Sequence, residues 1–382
     1  MKLFDSNHKT PAFSVVVHDK DGEKNITQLV SDRLISLTLT DNRGFEADQL
    51  DISLSDHDGA LPLPSRGAEL EVAIGWKNQP LVEKGRFTVD EIEFSGAPDT
   101  LTLRARSADM MGSLLTKQER SFEATFLGVL IDRLAKENNL KPLCDEALES
   151  EAVLHLDQTN ESTINLLTRL AEQYDAIATV KNGYLMFIKA GQMQTASGQA
   201  LPEVVITKRS GDSYRFSINE GDNYSAVRAY WHNLDTGEKG EVVIDENSEI
   251  QRKHRQTKGR TLKDGTVKGQ RQSKRKYNVL VQTEPVESDA NQMKTLRITY
   301  KSHAEAMNRA KAAYDKMKRG VASFALTLAV GNPELMPELP AILTGFKPQI
   351  DSTKWIVTKV THSIGDGGYT TAVEFELDIG QD

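Results

Sequence analysis

The residues of this sequence whose types and spacing most clearly suggest a chemical role are the Lys and Arg between Gln251 and Tyr277. This run holds eleven basic residues against one acid, Asp264. This density of positive charge can neutralise phosphates and give salt-sensitive DNA binding, or it can contact an acidic protein surface. Aromatic residues that would stack on bases are missing inside the run, which leaves a solvated loop or a contact with an acidic protein, and we favour a protein partner over nucleic acid. The residues expected to make this electrostatic contact are Arg252, Lys253, Arg255, Lys258, Arg260, Arg271, Lys274, Arg275 and Lys276.

Other residue types that carry chemistry lack the spacing that catalysis or metal binding needs. The eight histidines show neither His-x-x-x-His nor Glu-x-x-His spacing. Asp56-His57-Asp58 could supply ligands, but it lies in a turn-like cluster where solvation explains it. The sequence has no Gly-x-Ser-x-Gly elbow, no Walker loop and no Gly-x-Gly-x-x-Gly motif after a strand. We therefore expect no catalytic residue, no metal and no cofactor.

Composition limits the class of protein further. The single cysteine, Cys144, excludes an intrachain disulfide and fits synthesis in a reducing compartment. No run of about 18 apolar residues occurs, so a membrane span is not expected. The net charge of −8 argues against a dedicated nucleic-acid-binding protein. A length of 382 residues favours two or three domains over one.

The elements that would position these residues begin with β structure. From Phe13 to Arg106 short segments alternate apolar and polar residues, separated by turn-forming clusters such as Asp56 to Gly59. This pattern is typical of an antiparallel barrel or sandwich. We assign residues 1–115 to a first β-barrel domain.

The period of the pattern changes after residue 115. From Thr125 the apolar residues recur at helical spacing, and this helix is expected to end near Asn138 and Asn139. A second helix is predicted after a cap at Thr159 or Asn160. An Asn-Gly turn then predicts a hairpin. We assign residues 116–195 to an α/β insertion domain.

Strand patterns return from Val204 and again after residue 320. We assign 196–245 and 320–382 to a second β-barrel domain, interrupted by an inserted segment, 246–319. That segment carries the basic run as a loop or long hairpin, followed by a helix that Ser302 and Glu305 begin as a capping box. The predicted fold class is α+β, mainly antiparallel β.

Two distant stretches of the sequence match each other. Placing Phe87 over Trp355 brings Val89 over Val357 without a gap, and further aligned pairs follow to Ala105 over Val373. The match predicts two similar barrels in one chain. Three such chains about an axis would display six similar barrels, which makes a nearly sixfold face from a threefold assembly.

Several blocks carry a family resemblance. The most specific are Gly331 to Phe346, Trp355 to His362 and Gly368 to Glu376. Supporting blocks are Thr125 to Pro142, Glu161 to Ile188 and Gly85 to Asp109. In their order and spacing these blocks resemble the phage late control D family, the tail hub proteins of contractile phages. One position departs from the expected pattern, since Glu338 stands where a Gly is expected after Met336-Pro337.

The resemblance implies a homotrimer at the centre of a tail baseplate, similar to the hub part of type VI secretion spike proteins. Its ring would adapt the sixfold tail tube protein to a trimeric spike protein, with baseplate wedge and tape measure proteins as further partners. Such a chain would be made in the bacterial host cytoplasm and act in the virion tail. Without the basic run the net charge is about −18, which suits a channel through which DNA passes unbound. Two alternatives are a late-gene regulator that binds DNA through 251–277 and a cell-wall hydrolase hub.

Overall fold

The computed structural model describes residues 9–19, 22–65, 67–107, 113–181, 183–191, 200–219, 224–234, 236–256, 260–261, 267–268, 272–282 and 293–379. Within these ranges the chain is mainly antiparallel β with a smaller share of helix, as the sequence predicts. Buried apolar side chains gather into separate clusters, and the cluster built mainly by residues 15–105 also contains Ile364 and Tyr369 from the last part of the chain.

The first part of the chain forms an antiparallel sheet. Its elements are β1 (Pro11–Asp19), β2 (Gly22–Asn25), α1 (Thr27–Arg33), β3 (Leu34–Asn42), β4 (Gln49–Ser55), β5 (Glu69–Trp76), β6 (Val82–Ser95) and β7 (Thr100–Ser107). The strands pair in the order β2-β1-β5-β6-β7-β4-β3. Successive side chains on a strand point to opposite faces. Leu37, Leu50 and Phe87 therefore reach one core, while the side chains that alternate with them along each strand point to the other face.

The next part is a small α/β unit. Its elements are β8 (Lys117–Phe126), α2 (Leu127–Glu137), β9 (Lys141–Cys144), α3 (Glu146–Glu149), β10 (Ala152–Ser162), α4 (Thr163–Tyr174), β11 (Ala176–Lys181) and β12 (Tyr184–Lys189). The predicted hairpin is confirmed as β11 paired with β12. Helix α2 ends as predicted, with Asn138 at its cap and Asn139 at φ 57°.

The predicted cap of α4 is wrong by a few residues. Thr159 and Asn160 belong to β10, which pairs with β8 as far as Ser162. The Ser162 hydroxyl accepts a hydrogen bond from the Asn165 N–H and caps the helix. The sequence offered three hydroxyl or amide side chains in a row of four, and the extended pairing with β8 decided which one starts the helix.

Two strands and a second compact unit follow. The elements are β13 (Val204–Thr207), β14 (Gly211–Ile218), β15 (Ala226–His232), β16 (Lys239–Asp245), β17 (Ser248–Gln256), β18 (Arg260–Thr261), β19 (Val267–Lys268), β20 (Gln272–Gln282), β21 (Met293–Tyr300) and α5 (His303–Arg319). Strands β17 and β20 pair antiparallel, so the described part of the basic run forms the long hairpin that the sequence allowed. The Ser302 hydroxyl caps α5 by accepting from the Glu305 N–H, while the Glu305 carboxylate accepts from Lys301 instead of Ser302.

Strands β15 and β16 do not join the second β unit to which the sequence assigned them. They form a three-stranded sheet with β21, in the order β16-β15-β21. Val227 and Ile244 pack there against Met307 and Ala310 of α5 in a core of their own. The apolar stripe of α5 needs a surface to cover, and these two strands supply it.

The last part of the chain completes the large sheet. Its elements are β22 (Ala322–Leu328), β23 (Pro340–Thr344), α6 (Pro348–Asp351), β24 (Lys354–Gly365) and β25 (Gly368–Leu377). The full order is β14-β22-β25-β24-β3-β4-β7-β6-β5-β1-β2, with β23 between β13 and β24. Among the described strands no pairing closes either end of this path into a ring.

The same strand arrangement occurs twice in this sheet. We call β6-β7-β4-β3 the first half-sheet and β24-β25-β22-β14 the second half-sheet, and both are antiparallel throughout. A register shift follows Val89 in the pairing of β6 with β7, and another follows Val357 in the pairing of β24 with β25. These are the two positions that the sequence comparison superposed.

The sequence match needs one correction. Residues 96–99 connect β6 to β7, whereas only 366–367 connect β24 to β25. Val89 pairs with Ala105 and Val357 pairs with Phe375, so Ala105 corresponds to Phe375 and not to Val373. Because strand side chains alternate with a period of two, this shift keeps the same residues on the core face.

Candidate functional site

The two half-sheets meet along one ladder, β3 with β24. It runs from Asn42 opposite Lys359 to Ser36 opposite Gly365. The first residues of β24 pair with β23 instead, so one long strand holds both partners on the same side. This ladder makes the half-sheets one continuous structure, and charged side chains cluster at its end.

Arg43 follows β3 directly and lies between two carboxylates from the far end of the chain. Its Nε is 2.5 Å from Glu338 Oε1, and its Nη1 also pairs with Glu376. Glu338 precedes β23 with φ 72°, in the left-handed region that favours Gly, and it stands at the position where the sequence pattern led us to expect Gly. Burial disfavours charge on Arg43, but the two carboxylates outweigh it and raise the pKa of the guanidinium.

We call the cluster of Arg43, Glu338, Glu376, Arg319 and Asp175 the ionic junction. Arg319 extends it to both compact units. It ends α5 and donates from Nη1 to Asp175 Oδ2 at 2.8 Å, with a second bond to Oδ1. Its Nε lies 3.5 Å from Glu376. Only 5% of the Arg319 side chain and 8% of the Asp175 side chain are exposed. Burial opposes the charge, and Asp175 overcomes this and raises the pKa of Arg319.

A second ionic contact ties the α/β unit to the first half-sheet. Lys181 Nζ is 2.8 Å from Asp41 Oδ1 and 3.6 Å from Asp48 Oδ2. Burial raises the pKa of Asp48 to about 6, against the opposing charge of Lys181. The nearby charge of Asp41 also raises the pKa of Asp48, so a proton on Asp48 is favoured at mildly acidic pH.

Neutral contacts complete the join. The Trp76 indole N–H donates to the Gly331 carbonyl oxygen at 3.1 Å, and its ring lies 5.0 Å from the Tyr369 ring. A Cβ on Gly331 would stand 2.5 Å from the Tyr369 ring, so only Gly allows this approach. Tyr369 and Thr371 both contact Nδ1 of the fully buried His362, whose pKa burial lowers to about 2.

These groups fix geometry and are not arranged to move protons. Each cation of the junction pairs with carboxylates from another segment, and a guanidinium whose pKa is raised does not act as an acid near neutral pH. Within the described residues no group of three His, Cys, Asp or Glu could hold a metal ion. Among the helices that the structure describes, none is long and apolar enough to span a membrane.

The predicted contact residues lie on and beside the β17 and β20 hairpin. Lys253 is exposed on β17. Lys258 and Arg271 lie outside the described residues, and for the remainder only the strand is described: β17 carries Arg252 and Arg255, β18 carries Arg260, and β20 carries Lys274, Arg275 and Lys276. The electrostatic contact therefore stays a prediction.

Two other candidates have structural roles. Asp58 forms two hydrogen bonds of 2.6 Å with Arg33, and Asp56 accepts from the Leu61 N–H at 2.9 Å, so Asp56-His57-Asp58 is a turn held by its own acids. Cys144 packs against the core of the α/β unit, and burial raises the pKa of its thiol to about 12. A thiol in this state is a poor nucleophile.

Sequence reasoning missed the ionic junction. Its members, Arg43, Asp175, Arg319, Glu338 and Glu376, lie far apart in the chain and follow no motif. The one available signal was Glu338 at a position where Gly is expected. A residue kept in the left-handed region at the cost of strain points to a side chain with a specific contact.

Comparisons with known proteins agree on one family. The model of the family described as phage tail baseplate hub (GPD) matches residues 43–368. The chain is 42% identical to the probable baseplate hub protein of Escherichia phage 186, covering 97% of this chain and 93% of that one. It is also 42% identical to the probable baseplate hub protein of Escherichia phage P2, covering 96% and 93%.

A solved structure shows the same fold at low identity. The tail protein from Neisseria meningitidis MC58 superposes with a TM-score of 0.63 at 11% identity, covering 96% of this chain and 97% of that one. The family match favours the structural interpretation over the regulator and hydrolase alternatives. The chain belongs to the phage tail baseplate hub (GPD) family, and it is a hub component of the baseplate in a phage virion tail.

Proposed function

We propose that the chain acts as a homotrimeric ring in which each subunit contributes two similar units. The observation that carries this proposal is the repeated half-sheet, with the same strand order and the same bulge after Val89 and Val357. Three chains would then place six half-sheets around the axis. A threefold assembly would thus present a nearly sixfold face.

The proposed domains follow the cores. The first barrel-like unit is 9–107 and the α/β insertion is 113–191. The second barrel-like unit consists of 200–219 and 322–379, with 224–319 inserted as a separate unit. The boundary expected at residue 245 moves to about 220, because β15 and β16 pack beneath α5.

The proposed partners follow from symmetry. The half-sheets resemble each other and suit the sixfold tail tube protein. The units 113–191 and 224–319 differ in their strand order and helices, so the face they form keeps threefold symmetry and suits a trimeric spike protein. Wedge and tape measure proteins would contact the outside and the channel. The basic hairpin of β17 and β20 is proposed to contact an acidic partner among these or a neighbouring subunit.

We propose that the polar face of the half-sheets lines the channel through which DNA passes. Opposite the core this face carries many short hydroxyl side chains, namely Ser36, Thr38, Thr40, Ser53, Thr102, Ser217, Ser323, Thr327, Thr361, Ser363 and Thr370. It carries charges of both signs, as in the ion pair of Arg104 with Glu91 at 2.6 Å and in Lys359 opposite Glu374. A strongly acidic channel, which the net charge without the basic run suggested, is not what this face offers.

This role needs no catalytic step, because the work is done by buried contacts between subunits. Mass photometry of the chain alone, and of the chain mixed with its tube and spike proteins, tests the proposal. We expect a species of three chains. A chain that stays monomeric in both conditions would contradict the ring.

A further inference from the structure

Among the strands of the two half-sheets, two edges carry no ladder partner within the residues that the structure describes. Of the described strands, only β22 pairs with β14, which lies at one end of the large sheet. Strand β6 pairs with β5 as far as Thr88, and beyond its bulge it pairs with β7 on one side only. An exposed edge presents unpaired N–H and C=O groups and is a template for another strand.

The repeat shows what occupies the equivalent edges. In the second half-sheet the stretch of β24 beyond its bulge pairs with β3. Equivalent strands are found by following the pairings outward from the two bulges. In the first half-sheet Ala105 lies opposite Leu50, which lies opposite Leu39 on β3. In the second half-sheet Phe375 lies opposite Phe324, which lies opposite Phe216 on β14, so β3 corresponds to β14. The joint between β3 and β24 is therefore formed by the two edges that are equivalent to the open edges of β14 and β6.

Large side chains are exposed at both open edges. Tyr214 and Ile218 on β14 are 49% and 55% exposed, whereas the corresponding Leu37 and Asp41 on β3 are 0% and 8% exposed. Phe94 on β6 is 55% exposed, and its counterpart His362 on β24 is 0% exposed. These exposed side chains point to the core side of the sheet. At the equivalent positions of β3 and β24, the pairing of the two strands buries the side chains.

We propose that β14 of one chain adds as an antiparallel strand to β6 of a second copy, in the register that β3 and β24 use within the chain. Transferring that register places Ile218 opposite Ile92 and Phe216 opposite Phe94 of the neighbour. On the other face Ser217 lies opposite Glu93, and Arg215 lies opposite Ser95 and diagonal to Glu93. Apolar side chains thus meet apolar side chains, and Arg215 meets an acid.

A second copy fits these edges better than an unrelated strand. Both edges belong to one chain, each corresponds to one partner of an existing joint, and their side chains match in the transferred register. Because the two edges lie at different places on the chain, the contact is head-to-tail, and such contacts form a ring when the rotation closes. The inference rests on the proposed trimer and names the surfaces that hold it.

Cysteine pairs in full-length chains with Cys144→Ser test the register. Directly opposite positions on an antiparallel pair lie within reach of a disulfide or a short thiol crosslinker. We expect Glu93→Cys with Ser217→Cys to give a covalent trimer on a non-reducing gel. Glu93→Cys with Ile218→Cys is the matched control, since these side chains point to opposite faces and should give no such band.

A second pair of variants tests the apolar contact without relying on crosslinking. Ile218→Asp changes a side chain that is exposed in the single chain, so folding is expected to persist while trimer affinity falls on the order of tenfold or more. Leu63→Asp, also exposed, is the control and should leave trimer affinity unchanged. Circular dichroism checks the fold of both.

The outcomes separate this inference from the proposed ring. A native trimer that gives no crosslink at the matched pair, or that tolerates Ile218→Asp as well as Leu63→Asp, overturns the edge pairing and leaves the ring standing. A chain that remains monomeric even with its tube and spike proteins overturns both. A matched crosslink together with weakened assembly of Ile218→Asp supports the edge pairing.

Discussion

Replacing Arg319 by Met removes the cation that ties α5 to Asp175 and Glu376. The pair is almost fully buried, with side-chain exposures of 5% and 8%. Met fills a similar volume, so the loss is chiefly the carboxylate of Asp175 left buried without its partner. Breaking a buried ion pair in this way costs about 3–5 kcal/mol. Arg104 pairs with Glu91 and Glu93 but is 43% exposed, so solvent screens the pair and Arg104→Met is expected to cost far less.

Native-state hydrogen exchange measures this cost where it falls, since different parts of a large chain open independently. We expect Arg319→Met to lower the opening free energy of α5 amides far more than Arg104→Met lowers that of β7 amides. The double variant Arg319→Met with Asp175→Asn should recover a large part of the loss, because the stranded charge is gone. Equal effects of the two single variants, or no recovery in the double variant, would refute the reasoning.

Further predictions concern single groups. The pKa of Asp48 is raised from 3.8 to about 6 in the folded chain, so the free energy of unfolding should fall on the order of 2–3 kcal/mol as pH rises from about 4 to 6. Asp48→Asn should flatten this dependence, measured by urea unfolding at several pH values. Ser302→Ala should cost about 1 kcal/mol in the hydrogen exchange of α5, because the Glu305 N–H loses its acceptor. His362, with its pKa lowered to about 2, should show NMR ring shifts that stay constant between pH 5 and 8, and a titrating signal would contradict its burial. Gly331→Ala should lower the midpoint of thermal unfolding, since its Cβ would stand 2.5 Å from the Tyr369 ring, while Gly367→Ala, with open space around it, should not.

The sequence predicted local structure well, because periodicity is a local signal. The alternating strands, the helices α2, α4 and α5, and the hairpin of β11 and β12 lie where the pattern placed them. The sequence match also placed the bulges at Val89 and Val357 in equivalent positions. Pairing between distant strands was not predictable in this way, as the assignment of β15 and β16 to the wrong unit shows.

The candidate site was less accessible from the sequence than the fold. The joint of β3 with β24 depends on edges that two remote segments leave open, and no residue type marks such an edge. The ionic junction draws single residues from segments that meet only after folding. The basic run was conspicuous by its composition, but charge alone does not identify a partner surface.

The joint between β3 and β24 also sets an order of events during synthesis. The ribosome delivers β3 early, yet the strand that covers its outer edge arrives almost at the end of the chain. A nascent chain whose first half-sheet has formed therefore has two unpaired strand edges, β3 and the outer part of β6. Other chains being translated from the same mRNA have the same two edges. Until the last hairpin pairs with β3, this edge is open to the outer part of β6 in a neighbouring nascent chain. Completion of the chain covers β3 and leaves β14 as the open edge in its place.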